Sequence, residues 1–389
     1  MTALQSVAAT TEPVERARAL AQEFALTAAI HDRDASFPFA NFDRLRDERL
    51  LNLTVPARLG GDGERLATAC KVIELIAGGE PSTALVYAMH LIYHAVGARS
   101  KTWSPPAHEH MVRDSLGGIS LINVLRVEPD LGTPSRGGLP STTATPADGG
   151  WSISGHKMYS TGCPLLGYHL VWARTPGDDP MVGYFAIPGD TPGIRIVETW
   201  DHMGMRATGS HDTVYEDVRI PTELALDLRR PAEHFPPDPV QWSWNNLVLA
   251  ALYHGIALAA RDWLVGYLHE RVPSNLGAPL ATLPRFQASV GEMEALLMSS
   301  DRLIYTLAAQ IDATGYSPEV SAETSVAKMI ATNNAVKAVD IAITLIGNPA
   351  LSRTNPLERY HRDVMCSRIH MPQDDMVLSG AGKAALGLQ

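Results

Sequence analysis

Apolar positions recur at near-helical spacing from Val14 to Ala29 and from Phe42 to Leu53, which predicts two helices near the start of the chain. Pro81 opens a further apolar segment, Ser82 to Gly97. Proline suits a first helical position because the N–H it lacks would have no intrahelical partner. A Pro- and His-rich loop, Ser104 to His110, then leads into another short helix. The pattern changes near Gly117. Short β-branched and aromatic runs at 119–124, 151–154, 168–173, 182–187 and 213–218 alternate with turn clusters such as Asp148-Gly149-Gly150 and Pro176-Gly177-Asp178-Asp179. That is the signature of an antiparallel β-domain. A Pro-rich linker, Phe235 to Pro239, closes it, and 247–269, 286–315, 321–346 and 356–369 have the length and apolar content of long helices.

The predicted fold class is therefore α+β and multidomain. An N-terminal helical domain (1–116) precedes a middle antiparallel, barrel-like β-domain (117–230), and a C-terminal four-helix bundle (231–389) follows. The order helices, strands, helices narrows the architectures available, and 389 residues suffice for two or three packed cores.

Composition adds mainly exclusions. The net charge of −10 is spread along the chain with no Lys/Arg run, which argues against nucleic acid as a partner. Cys70, Cys163 and Cys366 are isolated, giving neither a disulfide framework nor a zinc site and fitting a reducing cytoplasm. His90 and His94 stand four apart on an apolar helix, but no third ligand is spaced to join them, so no metal is expected. No apolar run approaches the ~20 residues of a membrane helix, and the N-terminal stretch lacks a secretory pattern. A soluble cytoplasmic protein is expected.

Several short motifs then occur in a telling order. They are Phe37-Pro38, Val55-Pro56 and Gly60-Gly61-Asp62-Gly63, followed by Glu128-Pro129, Gly155-His156-Lys157-Met158-Tyr159-Ser160-Thr161-Gly162 and Met203-Gly204-Met205-Arg206. Tyr215-Glu216-Asp217-Val218-Arg219-Ile220-Pro221, Pro356-Leu357-Glu358-Arg359 and Arg362-Asp363 complete the series. In this order and spacing the chain resembles the acyl-CoA dehydrogenase superfamily of flavoproteins over nearly its whole length. The resemblance implies a flavin, FAD by preference with FMN open, whose N5 is met by the strand carrying Tyr159, Ser160 and Thr161. It places Thr161 nearest N5 and Tyr159 where the family has a tryptophan against the ring. It also sets the backbone of Arg126 and Val127 at the pyrimidine edge and Thr133 near the pyrophosphate. Arg271 stands where the family reaches a flavin across a subunit interface, so a homotetramer, or at least a homodimer, is implied.

A dehydrogenase of this family needs a carboxylate base over the flavin. Aligned from Arg362-Asp363, one family position for that glutamate falls on Met371; the other falls near Asn245. Neither is an acid. Asp374 and Asp375 lie three and four residues past Met371 and supply a displaced base if the loop is rearranged, or else sit at the positive end of a helix.

The same superfamily holds flavin-dependent monooxygenases, which take reduced flavin from a separate reductase and react through a C4a-hydroperoxide. This sequence is similar to them at Ser160-Thr161-Gly162-Cys163, at Ala207-Thr208-Gly209-Ser210-His211-Asp212, at His90 and at His370. The expected catalytic residues are accordingly His370, His90 and Ser160, with Asp374 for the displaced-base reading; Ser210 joins the flavin contacts or caps its loop. The expected activity is a monooxygenase using reduced FAD and O2 on a small aromatic or heteroatom-containing substrate. The alternatives are an acyl-CoA or acyl-carrier-protein dehydrogenase with a displaced base, and a non-catalytic flavoprotein or assembly partner.

Overall fold

The structure, a computed structural model, describes residues 11–131, 138–234 and 238–388; Thr133 and most of the predicted linker, Phe235 to Pro237, lie outside them. The N-terminal region is helical: α1 (Thr11–Asp34), α2 (Phe39–Asp47), α3 (Leu66–Gly79), α4 (Pro81–Arg99) and α5 (Pro105–Gly117). Glu80 caps α4, its carboxylate accepting the backbone N–H groups of Ser82 and Thr83 at 3.1 and 2.5 Å, with Pro81 at the first helical position as expected. The stretch expected as a loop, 104–110, is instead the start of α5. Pro105 and Pro106 occupy its first turn, where neither costs a hydrogen bond.

The middle region carries seven strands: β1 (Leu121–Leu125), β2 (Thr143–Ala147), β3 (Gly150–Lys157), β4 (Leu166–Arg174), β5 (Val182–Pro188), β6 (Ile194–Val197) and β7 (Asp212–Pro221). They form one sheet in the order β1-β4-β2-β3-β7-β6, with β5 on β4. The sheet is mixed rather than purely antiparallel, because β1 runs parallel to β4. Strand β2, Thr-Ala-Thr-Pro-Ala, is too polar to stand out from its turns in the sequence, and β6, four residues long, is too short.

The C-terminal region holds α6 (Pro239–Glu270), α7 (Pro284–Thr314), α8 (Pro318–Ile346), α9 (Pro356–Met365) and α10 (Asp374–Ala385). Helices α6 and α8 are long and apolar enough by length and composition to cross a membrane, which the absence of an unbroken apolar run had not suggested. In the most apolar window of each, 67% and 44% is buried within the protein. Helix α6 packs so closely on α3 that a Cβ at Gly255 would lie 2.1 Å from the Glu74 carbonyl.

Two polar junctions organise the chain, one inside the middle region and one between the three regions. In the first, Lys157 at the end of β3 is fully buried and donates to Glu128 Oε1 at 2.5 Å and to the Trp172 carbonyl at 2.6 Å. Glu128 also accepts the N–H groups of Ser141 and Thr142. In the second, Arg362 of α9 clamps Asp32 of α1 and Glu358 and donates to the Met203 carbonyl. Its neighbour Asp363 accepts the Met205 N–H at 2.7 Å. The backbones meet so tightly there that a Cβ on Gly204 would stand 2.2 Å from the Arg362 carbonyl.

Removing one partner of a buried ion pair strands the other in a medium that solvates it poorly. Lys157→Met should therefore cost about 3–5 kcal/mol of unfolding free energy, and Lys157→Met with Glu128→Gln should recover part of that loss. Urea unfolding of both variants checks this; a single variant as stable as the parent would contradict it.

Candidate active site

A cleft of 620 Å³ opens where α4, the β-domain edge, the N-terminal half of α6 and the loop after α9 meet. That size is usual for a small-molecule site. Its walls are mostly apolar, and five methionines contribute: Met89, Met203, Met205, Met365 and Met371. Among the described residues that line it, none is Asp, Glu, Lys or Arg.

The polar groups lie in two places. On the β-domain side, Asn123 donates through Nδ2 to the Thr161 carbonyl at 3.0 Å. The Thr161 hydroxyl is 2.9 Å from that of Ser210, and Ser210 is 2.7 Å from Thr208, which donates to the Met205 carbonyl at 2.9 Å. A carbonyl can only accept, so one polarity satisfies all three contacts: Thr161 donates to Ser210, Ser210 to Thr208, and Thr208 to Met205. The Thr161 oxygen is left as an acceptor. Across the cleft, His370 Nδ1 lies 3.2 Å from the hydroxyl of Tyr253 on α6, and burial with the field of Lys328 lowers its pKa to about 4. Its imidazole is therefore neutral at pH 7.

The expected site residues divide sharply. Val127, Tyr159, Thr161, Ser210 and His370 all line the cleft, as do Asn245 and Met371, the two positions where an acid would stand in a dehydrogenase. Tyr159 is not in a strand. It follows the end of β3 with φ +56°, in the left-handed region, and is 47% exposed with its ring edge-on to Trp200 and His202. Arg126 sits behind the wall over the face of Trp172 at 5.0 Å, its Nε buried without a hydrogen-bond partner.

Three expected catalytic residues lie elsewhere. Ser160 is wholly buried, its hydroxyl 2.8 Å from that of Thr213, and does not line the cleft. His90 is a core histidine: Nε2 meets the Leu51 carbonyl at 2.9 Å and Nδ1 accepts the Ile122 N–H at 3.2 Å. Both ring nitrogens are used to satisfy backbone, so none is left for chemistry. Asp374 lies in the first turn of α10, where it accepts from Asn333 at 2.8 Å, and it is not among the lining residues. The displaced-base placement is corrected accordingly. Arg271 is exposed at the end of α6 and also lies outside the cleft.

Sequence reasoning missed Tyr253, Asn123, Trp200 and His202. Tyr253 had a findable signal: it stands four residues beyond Leu249 and eight beyond Asn245, on the side of α6 whose earlier turns line the cleft. Trp200 and His202 stack at 3.7 Å between centroids and line its mouth.

Comparison with known proteins shows the family. The acyl-CoA dehydrogenase N-terminal, middle and C-terminal domain families match residues 10–98, 127–218 and 247–374. The chain is 35% identical to the putative acyl-CoA dehydrogenase YdbM of Bacillus subtilis over 94% of each chain. A structure of KijD3 with FMN and dTDP-3-amino-2,3,6-trideoxy-4-keto-3-methyl-D-glucose superposes with a TM-score of 0.82 at 26% identity, covering 99% of this chain and 96% of the other. TdsC of Paenibacillus sp. A11-2, solved with FMN and indole, gives a TM-score of 0.87 at 23% identity, over 97% of this chain and 98% of that one, and shares the fold. The protein belongs to the acyl-CoA dehydrogenase family and is, with that family, a flavin-dependent oxidoreductase.

The cleft suits a flavin ring. Apolar side chains face a large volume, one edge offers hydroxyl and amide groups, and the Arg126 Nε has an unused proton close to Val127.

Burial also sets an acid limit. His90, His108 and His169 have pKa values lowered to about 4, desolvation being the largest cause in each. The unfolded chain takes up these protons as pH falls through about 6.5 while the folded protein refuses them. Stability is therefore complete above about pH 6.5 and is lost as pH falls towards 4. Thermal melts at pH 7.0, 5.5 and 4.5 should show Tm dropping steadily; a flat Tm over that range would contradict the assignment.

Proposed function

We propose that the protein is a monooxygenase that uses reduced flavin and O2 on a small, uncharged aromatic or heteroatom-containing substrate. The observation that carries the reading is the pair Asn245 and Met371 in the cleft wall, where the family's dehydrogenases require a carboxylate, with the neutral imidazole of His370 beside Met371. Proton abstraction next to a thioester needs a base that these side chains do not offer. YdbM's name favours a dehydrogenase, but no acid among the described residues lines the cleft to serve one.

Bound reduced flavin supplies the electrons for oxygen activation. Thr161 is the residue we place at N5, with Tyr159 against the ring and the Arg126–Val127 backbone at the pyrimidine edge. The hydroxyl relay supports reduced flavin in particular. Its polarity makes the Thr161 oxygen an acceptor, which pairs with the N–H that N5 carries only when reduced, while oxidised N5 would need a donor. Methionine and aliphatic walls exclude water, which protects reactive oxygen species from discharge. The His370 imidazole, with Tyr253 on one nitrogen, presents the other to take a proton from, or give one to, a substrate heteroatom. The absence of charge along the lining favours neutral substrates over nucleotide sugars or acyl-CoA, whose phosphates find no cationic partner there.

FMN and FAD both remain candidates. A separate reductase would deliver the reduced flavin, and a homotetramer or homodimer would bring Arg271 to a neighbouring subunit's cofactor. We take the protein to be soluble and cytoplasmic; the burial of α6 and α8 within the fold is in keeping with the first.

Supplied with reduced FMN or FAD by a generic flavin reductase, the wild-type protein should oxygenate an indole or thioether probe with incorporation of 18O from 18O2. His370→Ala should shift at least half of the reducing equivalents to hydrogen peroxide. Anaerobic bleaching of bound oxidised flavin by butyryl-CoA or a longer acyl-CoA would instead establish a dehydrogenase. Absence of flavin binding in either redox state would leave only a non-catalytic role.

The relay gives an independent check. Ser210→Ala releases the Thr161 proton to donate, so the ratio of oxidised to reduced flavin dissociation constants should fall by about fivefold, the worth of one hydrogen bond near 1 kcal/mol. Titration of FMN by fluorescence in both redox states measures this, and an unchanged ratio would remove Thr161 from N5.

A further inference from the structure

Lys328, near the middle of α8, is 1% exposed. Its neighbours in sequence, Val326, Ala327, Met329 and Ile330, are apolar, so the helix spends one of its most buried positions on a cation. An ammonium is kept in such a place only if its protons are taken up. Here Nζ donates to the carbonyl of His370 at 2.7 Å and to the carbonyl of Pro372 at 2.9 Å. These carbonyls flank Met371, and His370 and Met371 are the two residues that the loop after α9 presents to the cleft beyond Ile369.

We infer that Lys328 is a positioning residue for His370, holding the backbone on both sides of Met371 so that the imidazole reaches the cleft in one orientation. The ring has its own support from Tyr253 on α6. Lys328 fixes the main chain of the loop and Tyr253 fixes the imidazole, so two helices set its place without either entering the loop. Charge-assisted bonds of this kind are worth more than neutral ones, and the loop is otherwise short and partly exposed, with Ile369 61% accessible.

The groups bearing on the ammonium are few. Asp374 of α10 favours its charged form, while burial is the larger influence and lowers its pKa to about 8. His370 on the loop is neutral and feels Lys328 as a cation. Tyr253 faces His370 from α6, and Arg368 lies on the far side of Asn333 at 3.5 Å. The clamp is therefore charge-assisted at pH 7 and weakens as pH rises through about 8, where the neutral amine keeps two N–H groups but loses its charge.

The inference rests on the oxygenase reading only for its kinetic consequence, and the experiment separates the two. In the flavin-free protein, hydrogen–deuterium exchange of a peptide covering 366–373 should rise about tenfold or more in Lys328→Met. Peptides from α3 and β4 should be unchanged, and circular dichroism should confirm the fold. Lys328→Arg keeps a cation that does not titrate and should show slow exchange at pH 9, where the wild-type protein has begun to loosen.

In the holoenzyme, reoxidation of bound reduced FMN by O2 is the second readout. His370→Ala should accelerate it, Lys328→Met should accelerate it by a similar factor, and the double variant should be no faster than His370→Ala alone. Unchanged exchange in 366–373 in Lys328→Met would overturn the clamp. Additive effects in the double variant would overturn its action through His370. If His370→Ala leaves reoxidation unchanged while exchange still rises, the oxygenase reading fails, and Lys328 holds the loop without serving that chemistry.

Discussion

The cleft depends on one buried charge pair. Glu128 and Lys157 lie at the points where two chain segments turn towards the site, the segment after β1 and the end of β3, and their contact at 2.5 Å fixes one against the other. Next to it, the Met158 N–H donates to the Val127 carbonyl at 2.9 Å. From that junction Val127 reaches the cleft on one side and Tyr159 and Thr161 on the other. The left-handed backbone at Tyr159 is a direct consequence: the chain leaves β3, turns at once, and cannot continue as a strand. A buried pair of this kind contributes less to net stability than its Coulomb energy suggests, since both ions are removed from water. What it does visibly is hold the segment after β1 against the end of β3.

The opposite wall is held by different physics. Arg362 and Asp363 gather α1, α9 and the 203–205 turn, and the Gly204 backbone approaches α9 more closely than any side chain would permit. Met203 and Met205 are thereby placed at the mouth, beside the stacked pair Trp200 and His202. His211 contributes by accepting the N–H groups of Thr199 and Trp200 on Nδ1, which requires that nitrogen to be unprotonated; burial lowers its pKa and favours that form. Charged side chains thus surround the cleft without lining it. The framework is ionic and the lining is neutral.

Much of this was legible in the sequence. The three-part order of helices, strands and helices follows from a change of hydrophobic period, and the motifs that mark the family are the residues of the two junctions, Glu128, Lys157, Met203 to Arg206 and Arg362-Asp363. Met371 and Asn245 could be read as vacated base positions and do face the cleft. What failed had a physical cause. His90 and Ser160 carry groups able to do chemistry, but a one-dimensional pattern does not say whether a polar atom is already satisfied by a distant part of the fold. Their partners, Leu51, Ile122 and Thr213, come from 39, 32 and 53 residues away. Lys328 escaped for the converse reason: its acceptors are main-chain carbonyls, which leave no trace in residue identity.

The neutrality of the lining and the missing acid are two sides of one electrostatic choice. A carboxylate over the ring would have to be kept ionised in an apolar cleft, and its negative charge would work against the electron-rich reduced flavin beside it. With Met371 and Asn245 in those places, no fixed anion opposes the reduced ring. The same dryness lowers the proton affinity of His370, and the Lys328 ammonium behind the loop lowers it further. A neutral imidazole close to a cation but shielded from it by the loop backbone can exchange a proton with a substrate heteroatom, yet adds no charge of its own to the resting cleft. On the proposed reading the family scaffold is kept, and its chemistry is redirected by leaving the lining without a fixed charge while charged groups such as Lys328 stand one layer behind it.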